Sequence, residues 1–138
     1  MAVPSALLEA CTRNSFAWLR QSPDEIDRAF DELLLPQSGE LYEFCRRFCL
    51  QFHSATLPFE MTEIVDEYGV SDSIYYARDE LCIPPEMVPI SSWEEEAIAV
   101  VDTTNDSVLI LTANDSGDRW SRDILSTSFY AFMQEHLG

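Results

Sequence analysis

The residues best suited to metal binding are Cys45, Cys49 and His53, which follow one another at a spacing of four. On a helix this spacing would place the three side chains on one face, and Cys82 could supply a fourth zinc ligand. Structural zinc sites usually take closely spaced cysteine pairs from loops, however, and the sequence contains no CxxC. Cys45 and Cys49 also lie in an apolar stripe, where a reduced cysteine behaves as a small hydrophobic residue. We therefore predict core cysteines, with no metal and no cofactor.

The sequence offers little for covalent or phosphate chemistry. Of its two histidines, His53 ends a predicted helix and His136 lies close to the last residue, positions where a cation suits the helix dipole. No serine lies in a GxSxG turn, and the four glycines are too few for a phosphate-binding loop. We therefore expect no catalytic residue and no enzymatic activity.

Two oxygen-rich stretches, DTTND at residues 102–106 and NDSGD at residues 114–118, raise the possibility of calcium binding. Neither is followed by the glutamate that an EF-hand loop needs at its twelfth position. Asn, Asp, Ser and Gly are also the residues from which turns are built. We predict that both stretches are turns.

Charge is the strongest feature of the chain. It has 25 acidic residues, 8 arginines and no lysine, for a net charge of −17. From Glu60 to Asp106 there are 13 carboxylates and one arginine, Arg78, so a charge of 1 − 13 = −12 falls in that segment. Such a field repels nucleic acid and anionic lipid, and it attracts basic proteins. We predict a basic protein partner and no direct binding to nucleic acid or membranes.

Aromatic residues accompany these acids. Trp93 precedes three consecutive glutamates, and three tyrosines lie nearby in the sequence. Aromatic side chains often anchor interface centres, and carboxylates steer the encounter with a basic partner. The predicted partner-binding residues are Trp93, Glu94, Glu95, Glu96, Asp102, Asp66, Glu67, Tyr68, Asp72, Tyr75 and Tyr76. The alternative is a solvated acidic face that only maintains solubility.

Length and composition indicate one globular domain. The 138 residues have a mass of 15.8 kDa and are 46% hydrophobic and 12% aromatic, which excludes a disordered chain. The first residues lack the basic and apolar pattern of a secretory signal, and no apolar run approaches the ~18 residues of a membrane span. With four cysteines, these features predict reduced thiols in a cytoplasm.

The clearest helix signal is SPDEIDRAFDELLLP. Ser22 is placed as an N-cap, Pro23 as the first helical residue and Glu25 as the partner in a capping box, and Pro36 ends the segment. Apolar residues then recur at helical spacing, which predicts one buried face. That face comprises Ile26, Ala29, Phe30, Leu33 and Leu34.

Further helices are predicted at residues 5–20, 38–53, 57–69 and 126–137. Residues 71–81 fit a helix or a strand, and the helix is favoured. The helix at residues 5–20 is an addition at the N-terminus of the domain, spanning 1–21 with its flanks. Apolar residues predicted to face inward are Leu7, Leu8, Cys11, Trp18 and Leu19, then Leu41, Phe44, Cys45, Phe48, Cys49 and Phe52, then Met61, Ile64, Val65 and Tyr68, and finally Phe129, Phe132 and Met133. Gly69 is expected to end the helix at 57–69.

Short β-branched runs separated by turn residues follow the helices. Strands are predicted at MVPIS, AIAVVD and SVLILT, and around residues 120–125. DTTND joins the middle two as a hairpin loop. Helices, then an antiparallel meander, then a C-terminal helix define an α+β fold.

This order of motifs resembles the SUKH superfamily, which includes many bacterial immunity proteins. The likeness begins with IDRAFDELLLP followed by LYEFCRRF. It continues with MVPIS, with AIAVVDTTNDSVLIL as a strand ending in aspartate and its hairpin, and with LSTSFYAFMQEHL as the terminal helix. It covers residues 22–138, so the predicted domain 1–138 is a SUKH-like core preceded by one added helix.

The resemblance implies a cytoplasmic α+β protein that binds a cognate toxin and blocks its active site. Many toxins neutralised by such proteins are basic and act on nucleic acid, which fits the acidity deduced independently from the sequence. The expected function is therefore an immunity protein whose acidic surface occludes a basic cleft. The alternative is an acidic secretion chaperone that holds an extended segment of its client. The sequence leaves open whether the protein is a monomer or a dimer.

Overall fold

The computed structural model describes residues 3–13, 19–50, 56–114 and 120–137. The helices in these ranges are α1 (Ser5–Arg13), α2 (Asp24–Glu32), α3 (Glu40–Arg47), α4 (Asp72–Asp79) and α5 (Phe129–Leu137). The strands are β1 (Val65–Asp66), β2 (Gly69–Val70), β3 (Met87–Pro89), β4 (Ala97–Asp102), β5 (Ser107–Ala113) and β6 (Trp120–Ser126). β1 and β2 form a hairpin, and β3 to β6 form a four-stranded antiparallel sheet in sequence order. The predicted α+β fold, meander and C-terminal helix are confirmed.

Strands β4 and β5 are covered on both faces, which explains their nearly continuous apolar runs. On one face, sheet residues such as Ala99, Val101 and Val108 join the main core with α1, α2, α3 and α5. That core includes the predicted Phe129, Phe132 and Met133 of α5, all buried. On the other face, Ile98, Val100, Leu109, Leu111, Met87 and Trp120 pack against Ala77 of α4, Ile83 and Trp93.

Two helix N-termini are capped by distant carboxylates. The Asp106 carboxylate, in the β4–β5 loop, accepts a hydrogen bond from the Glu40 N–H at the start of α3 (3.1 Å). The Glu40 carboxylate in turn accepts hydrogen bonds from the Ser128 hydroxyl (2.8 Å) and the Tyr130 N–H (2.9 Å) at the start of α5. Gly39 has φ +97°, and a Cβ there would lie 3.0 Å from Asp106 Oδ1. These contacts link the hairpin, α3 and α5.

Arg20, in the segment that precedes α2, is a buried arginine with several partners. Arg20 donates to the carbonyls of Cys45 and Phe48, and its guanidinium lies 2.6 Å from the Glu25 carboxylate and 2.9 Å from that of Glu63. Burial alone would lower the pKa of Arg20, but Glu63 and then Glu25 raise it overall by hydrogen bonding and charge. Arg20 is therefore a fully charged cross-link between α2, the end of α3 and the segment leading to β1.

The ends of α2 differ from the prediction. The helix begins at Asp24 without a side-chain cap hydrogen bond, because Glu25 pairs with Arg20 instead of completing a capping box. At the other end Leu34 has φ +59°, and the Leu35 N–H donates to the Phe30 carbonyl (2.8 Å) in a Schellman arrangement. Leu34 is therefore 91% exposed, whereas Leu35 is buried. The prediction that Leu34 faces the core was wrong.

The predicted helix at residues 57–69 was also wrong, because this segment forms the β1–β2 hairpin. Met61 bridges to Ser91 beside the sheet, and the Asp66 carboxylate accepts the Tyr68 N–H (2.8 Å) in a turn that competes with helix formation. Gly69 has φ +119°, as the turn requires. Tyr68 is 91% exposed and not inward-facing.

Two other helices are shorter than predicted. α3 ends at Arg47, and Phe48 is extended and bridges to Leu19. Phe48 is still buried, but Leu19 is 72% exposed, so its predicted inward orientation was wrong. α1 is described to Arg13, and its Leu7 and Cys11 pack in the main core. Trp18, Phe52 and the predicted helical residues around them lie outside the described residues.

Replacing Leu34 by glycine should raise the free energy of unfolding by about 1 kcal/mol, because glycine adopts a positive φ without a Cβ penalty. Little packing is lost, since the leucine side chain is exposed. Urea unfolding measures the effect. Asp31→Gly, at an exposed position inside the same helix, is the matched control and should lower stability by about 0.5–1 kcal/mol. Equal destabilisation by both variants would contradict the assigned conformation.

Replacing Arg20 by methionine should lower the free energy of unfolding by about 3–5 kcal/mol, because it leaves the Glu63 carboxylate partly buried without its cation. The double variant Arg20→Met, Glu63→Met should recover much of the loss in a double-mutant cycle. Arg46→Met is the control: its ion pair with Asp27 is partly exposed, so its removal should cost at most about 1 kcal/mol. If Arg20→Met lowers the free energy of unfolding by no more than Arg46→Met does, Arg20 is not a stabilising cross-link.

Candidate functional site

The three consecutive glutamates form a tight turn before β4. The Glu94 and Ala97 backbones exchange hydrogen bonds of 3.0 and 2.9 Å, and Glu95 and Glu96 between them have φ +53° and +64°. Two successive residues with positive φ define a type I′ turn, for which Asn-Gly is the preferred sequence. Each left-handed non-glycine residue costs roughly 1–2 kcal/mol. All three glutamate side chains are exposed, so the turn displays carboxylates at a cost in stability.

Trp93 holds this turn against the sheet. Its ring lies edge-to-face with that of Trp120, with centroids 5.6 Å apart and planes at 87°, and it packs partly buried on the second sheet face. The indole predicted as a partner anchor therefore has a structural contact. It positions the glutamates and presents only part of its surface to solvent.

A groove of about 430 Å³, here called the alanine groove, opens beside the turn. The segment that follows β3 pairs with β4 as far as Ile90, whose N–H donates to the Ala99 carbonyl (2.9 Å). At the next residue the Ser91 hydroxyl, and not a backbone carbonyl, accepts the Ala99 N–H (2.8 Å). The bridge from Met61 to Ser91 brings residues 58–60 close to Ser91 and Ser92. The groove is lined by Pro58, Phe59, Glu60, Ser91, Ser92, Glu94, Glu95, Ala97, Ile98, Ala99 and Ile110. The side chains of the two alanines end at Cβ, so the sheet surface is hollow here.

The charge of the alanine groove is entirely negative. Its lining contains three carboxylates, Glu60, Glu94 and Glu95, and no basic residue. In the part of the chain that the structure describes, none of the three has an ion-pair partner. Glu94 accepts one hydrogen bond, from the Ser92 hydroxyl (3.3 Å). A cation entering the groove would meet these carboxylates without displacing a resident one.

A second acidic cleft, of about 290 Å³, lies between α2 and the β1–β2 hairpin. It contains the predicted interface residues Asp66, Glu67 and Tyr68. Its charge is partly neutralised, because Arg28 also lines it and Glu25 is paired with Arg20. It is therefore the weaker of the two sites for a cation.

The remaining predicted interface residues lie elsewhere. Asp72, Tyr75 and Tyr76 belong to α4, where Tyr75 donates to Glu32 of α2, a bond that raises the pKa of the tyrosine. Asp102 ends β4, at about 17 Å from the glutamate turn by strand length. Its carboxylate accepts the Thr104 N–H (3.0 Å) and hydroxyl (2.6 Å) within the hairpin loop. The structure therefore divides the predicted patch among four places.

Cys11 and Cys45 are buried, Cys49 is partly buried and Cys82 is exposed. Burial raises the pKa of Cys11 to about 11 and that of Cys45 well above its usual value, so both thiols stay protonated at neutral pH. Cys49 lies beyond the end of α3 and does not share a helical face with Cys45, and His53 is outside the described residues. Within residues 3–13, 19–50, 56–114 and 120–137, no group of three or more His, Cys, Asp or Glu side chains could hold a metal. The predicted turn at 114–118 lies largely outside these ranges.

Sequence reasoning missed the wall of the groove formed by Phe59 and Glu60. No local pattern predicts that residues 60 and 94 line one groove, because the bridge that brings the two segments together joins Met61 to Ser91. One signal was present in the sequence: Ala97 and Ala99 alternate on a strand whose other core residues are large, which indicates an unfilled position on that face.

Comparison with protein-family models, with curated proteins and with solved structures found no match to this chain. None of the helices described is both long and apolar enough to cross a lipid bilayer. The charge and the geometry of the groove and the turn are the features of the described chain that indicate a function.

Changing the turn to its preferred sequence, Glu95→Asn with Glu96→Gly, should raise the free energy of unfolding by about 1–3 kcal/mol, because it removes two left-handed glutamates. Glu95→Gln with Glu96→Gln is the matched control, since it removes the same charges and keeps the unfavourable conformations. Urea unfolding of both variants measures the difference. Equal stabilisation by the two pairs would show that charge repulsion, and not turn conformation, is responsible.

Proposed function

We propose that this protein is a cytoplasmic, immunity-type inhibitor that binds a basic toxin and blocks its active-site cleft. The observation that carries the proposal is the turn at Glu94, Glu95 and Glu96, which holds exposed carboxylates in a strained conformation beside a groove without cations. Strained backbone is concentrated at functional sites, where the surrounding structure maintains it. Trp93 and the hydrogen bonds of Ala97 supply that support here.

Electrostatics supports a basic partner. A net charge of −17 destabilises the compact chain by self-repulsion, and a cationic partner would relieve that repulsion. Carboxylates on a rigid mount would occupy the positions where a nucleic-acid enzyme binds phosphates. Such charges mainly accelerate association, so binding should weaken as salt concentration rises.

The resemblance to the SUKH superfamily also supports an immunity role. The resemblance rests on IDRAFDELLLP with LYEFCRRF, on AIAVVDTTNDSVLIL and on LSTSFYAFMQEHL. In such a role the protein would act without catalysis, since binding alone excludes the substrate of the toxin.

Charge reversal of the turn, Glu94→Arg with Glu95→Arg and Glu96→Arg, should abolish protection when the protein is co-expressed with its cognate toxin. Juxtaposed like charges cost several kcal/mol at an interface, so affinity should fall by at least about 100-fold. Cell viability and binding kinetics are the measurements.

The matched control is Glu9→Arg with Asp31→Arg and Glu135→Arg, which changes the net charge equally at exposed positions away from the turn. It should retain protection and lose only part of the association rate. If the turn variant protects as well as the wild type, the acidic turn is not the inhibitory element.

One observation favours a second candidate, a secretion chaperone. In the described part of the chain β6 pairs only with β5, and its residues Ser121 to Leu125 are exposed. An open strand edge can accept an extended segment of a client by β-addition. Hydrogen exchange in the complex separates the candidates: a chaperone would protect β6 amides and hold an unfolded client, whereas an inhibitor would leave β6 unprotected and bind a folded toxin domain.

A further inference from the structure

We infer that the alanine groove receives an arginine side chain from the partner, with the aliphatic stem on its floor and the guanidinium at its acidic rim. The inference rests on the proposed function and specifies the contact at its centre. It follows from the combination of apolar lining residues and three carboxylates in one groove, which fits one side chain that is both apolar and cationic.

The floor is suited to a methylene chain. Ala97 and Ala99 lie on β4, and Ile110 on β5 is paired directly with Ala99. Phe59 forms a wall whose position is fixed, because its ring stacks on that of Phe132 with centroids 5.8 Å apart and planes at 5°. Phe59 is partly buried and lines the groove, where its aromatic ring can attract a planar cation.

The rim is suited to a guanidinium. Glu60, Glu94 and Glu95 all line the groove, so the several donors of one guanidinium find more than one carboxylate acceptor. Arginine presents five donors in a rigid plane and also stacks on aromatic rings, whereas the lysine ammonium is a compact and strongly hydrated charge. The groove therefore discriminates in favour of arginine.

A metal ion is a poor alternative occupant. The carboxylates of Glu60, Glu94 and Glu95 do not converge on one point, since the described residues contain no group of three acidic or metal-binding side chains that could hold an ion. The apolar floor would also contribute nothing to a metal. An extended side chain uses both features of the groove.

The test uses the full ¹⁵N-labelled chain and a hexa-arginine peptide, with hexalysine and hexacitrulline peptides as comparisons. Chemical-shift changes with hexa-arginine should concentrate at the amides of Phe59, Glu60, Ala97, Ala99 and Ile110. Affinity should follow the order arginine, lysine, citrulline, with about tenfold between the first two, because only arginine both stacks and binds bidentately.

Ala97→Leu fills the groove while keeping every carboxylate, and it should weaken hexa-arginine binding by about tenfold or more. Ala113→Leu is the matched control: this exposed alanine lies on β5, its N–H bonds to the Glu96 carbonyl (2.9 Å), and it does not line the groove. The control should bind as the wild type does.

Two results would overturn the inference. One is equal affinity of the Ala97→Leu variant and the wild type for hexa-arginine; the other is shift changes spread evenly over the acidic segments. The second readout needs only the wild-type protein, so it remains decisive if Ala97→Leu fails to fold. Either result leaves the proposed inhibitor intact, because that proposal fails only if charge reversal of the turn leaves toxin protection unchanged.

Discussion

The arrangement of the first half of the chain depends on the burial of one guanidinium, that of Arg20. Removing a cation from water is costly, and the cost is offset only when every donor is satisfied and a counter-charge is close. Arg20 meets these conditions through two carbonyls, at Cys45 and Phe48, and two carboxylates, at Glu25 and Glu63. Glu63 lies three residues after Glu60, so the network also anchors the segment that follows the alanine groove.

In the acidic turn, by contrast, unfavourable backbone conformations and like charges both lower the stability of the fold. Glu95 and Glu96 occupy conformations that suit asparagine and glycine, and their charges add to a strongly negative surface. Trp93 on Trp120 and the paired backbone of Ala97 keep the turn in place despite these costs. Display of carboxylates to a cationic partner, with the sheet as a rigid mount, accounts for both features together.

Much of the fold was predictable because its signals are local. The meander was read from β-branched runs such as AIAVVD, and α5 from the spacing of Phe129, Phe132 and Met133, because each pattern reports which residues must be buried. The α4 helix was predicted correctly from a weaker pattern. Helix ends were less predictable: Leu34 fits a buried helical position by spacing, yet a left-handed turn at that residue exposes it.

The sequence by itself determined the fold class, the antiparallel meander and the concentration of negative charge, because composition and periodicity are properties of neighbouring residues. Only the tertiary structure decided that residues 65–70 form a hairpin, that Glu60 and Glu94 line one groove, and that Asp102 lies at the far end of β4. The pairing of Met61 with Ser91 joins residues thirty apart, and its stability comes from burial shared by several elements. Local propensity cannot predict such contacts, since residues 57–69 considered alone have the apolar spacing of a helix.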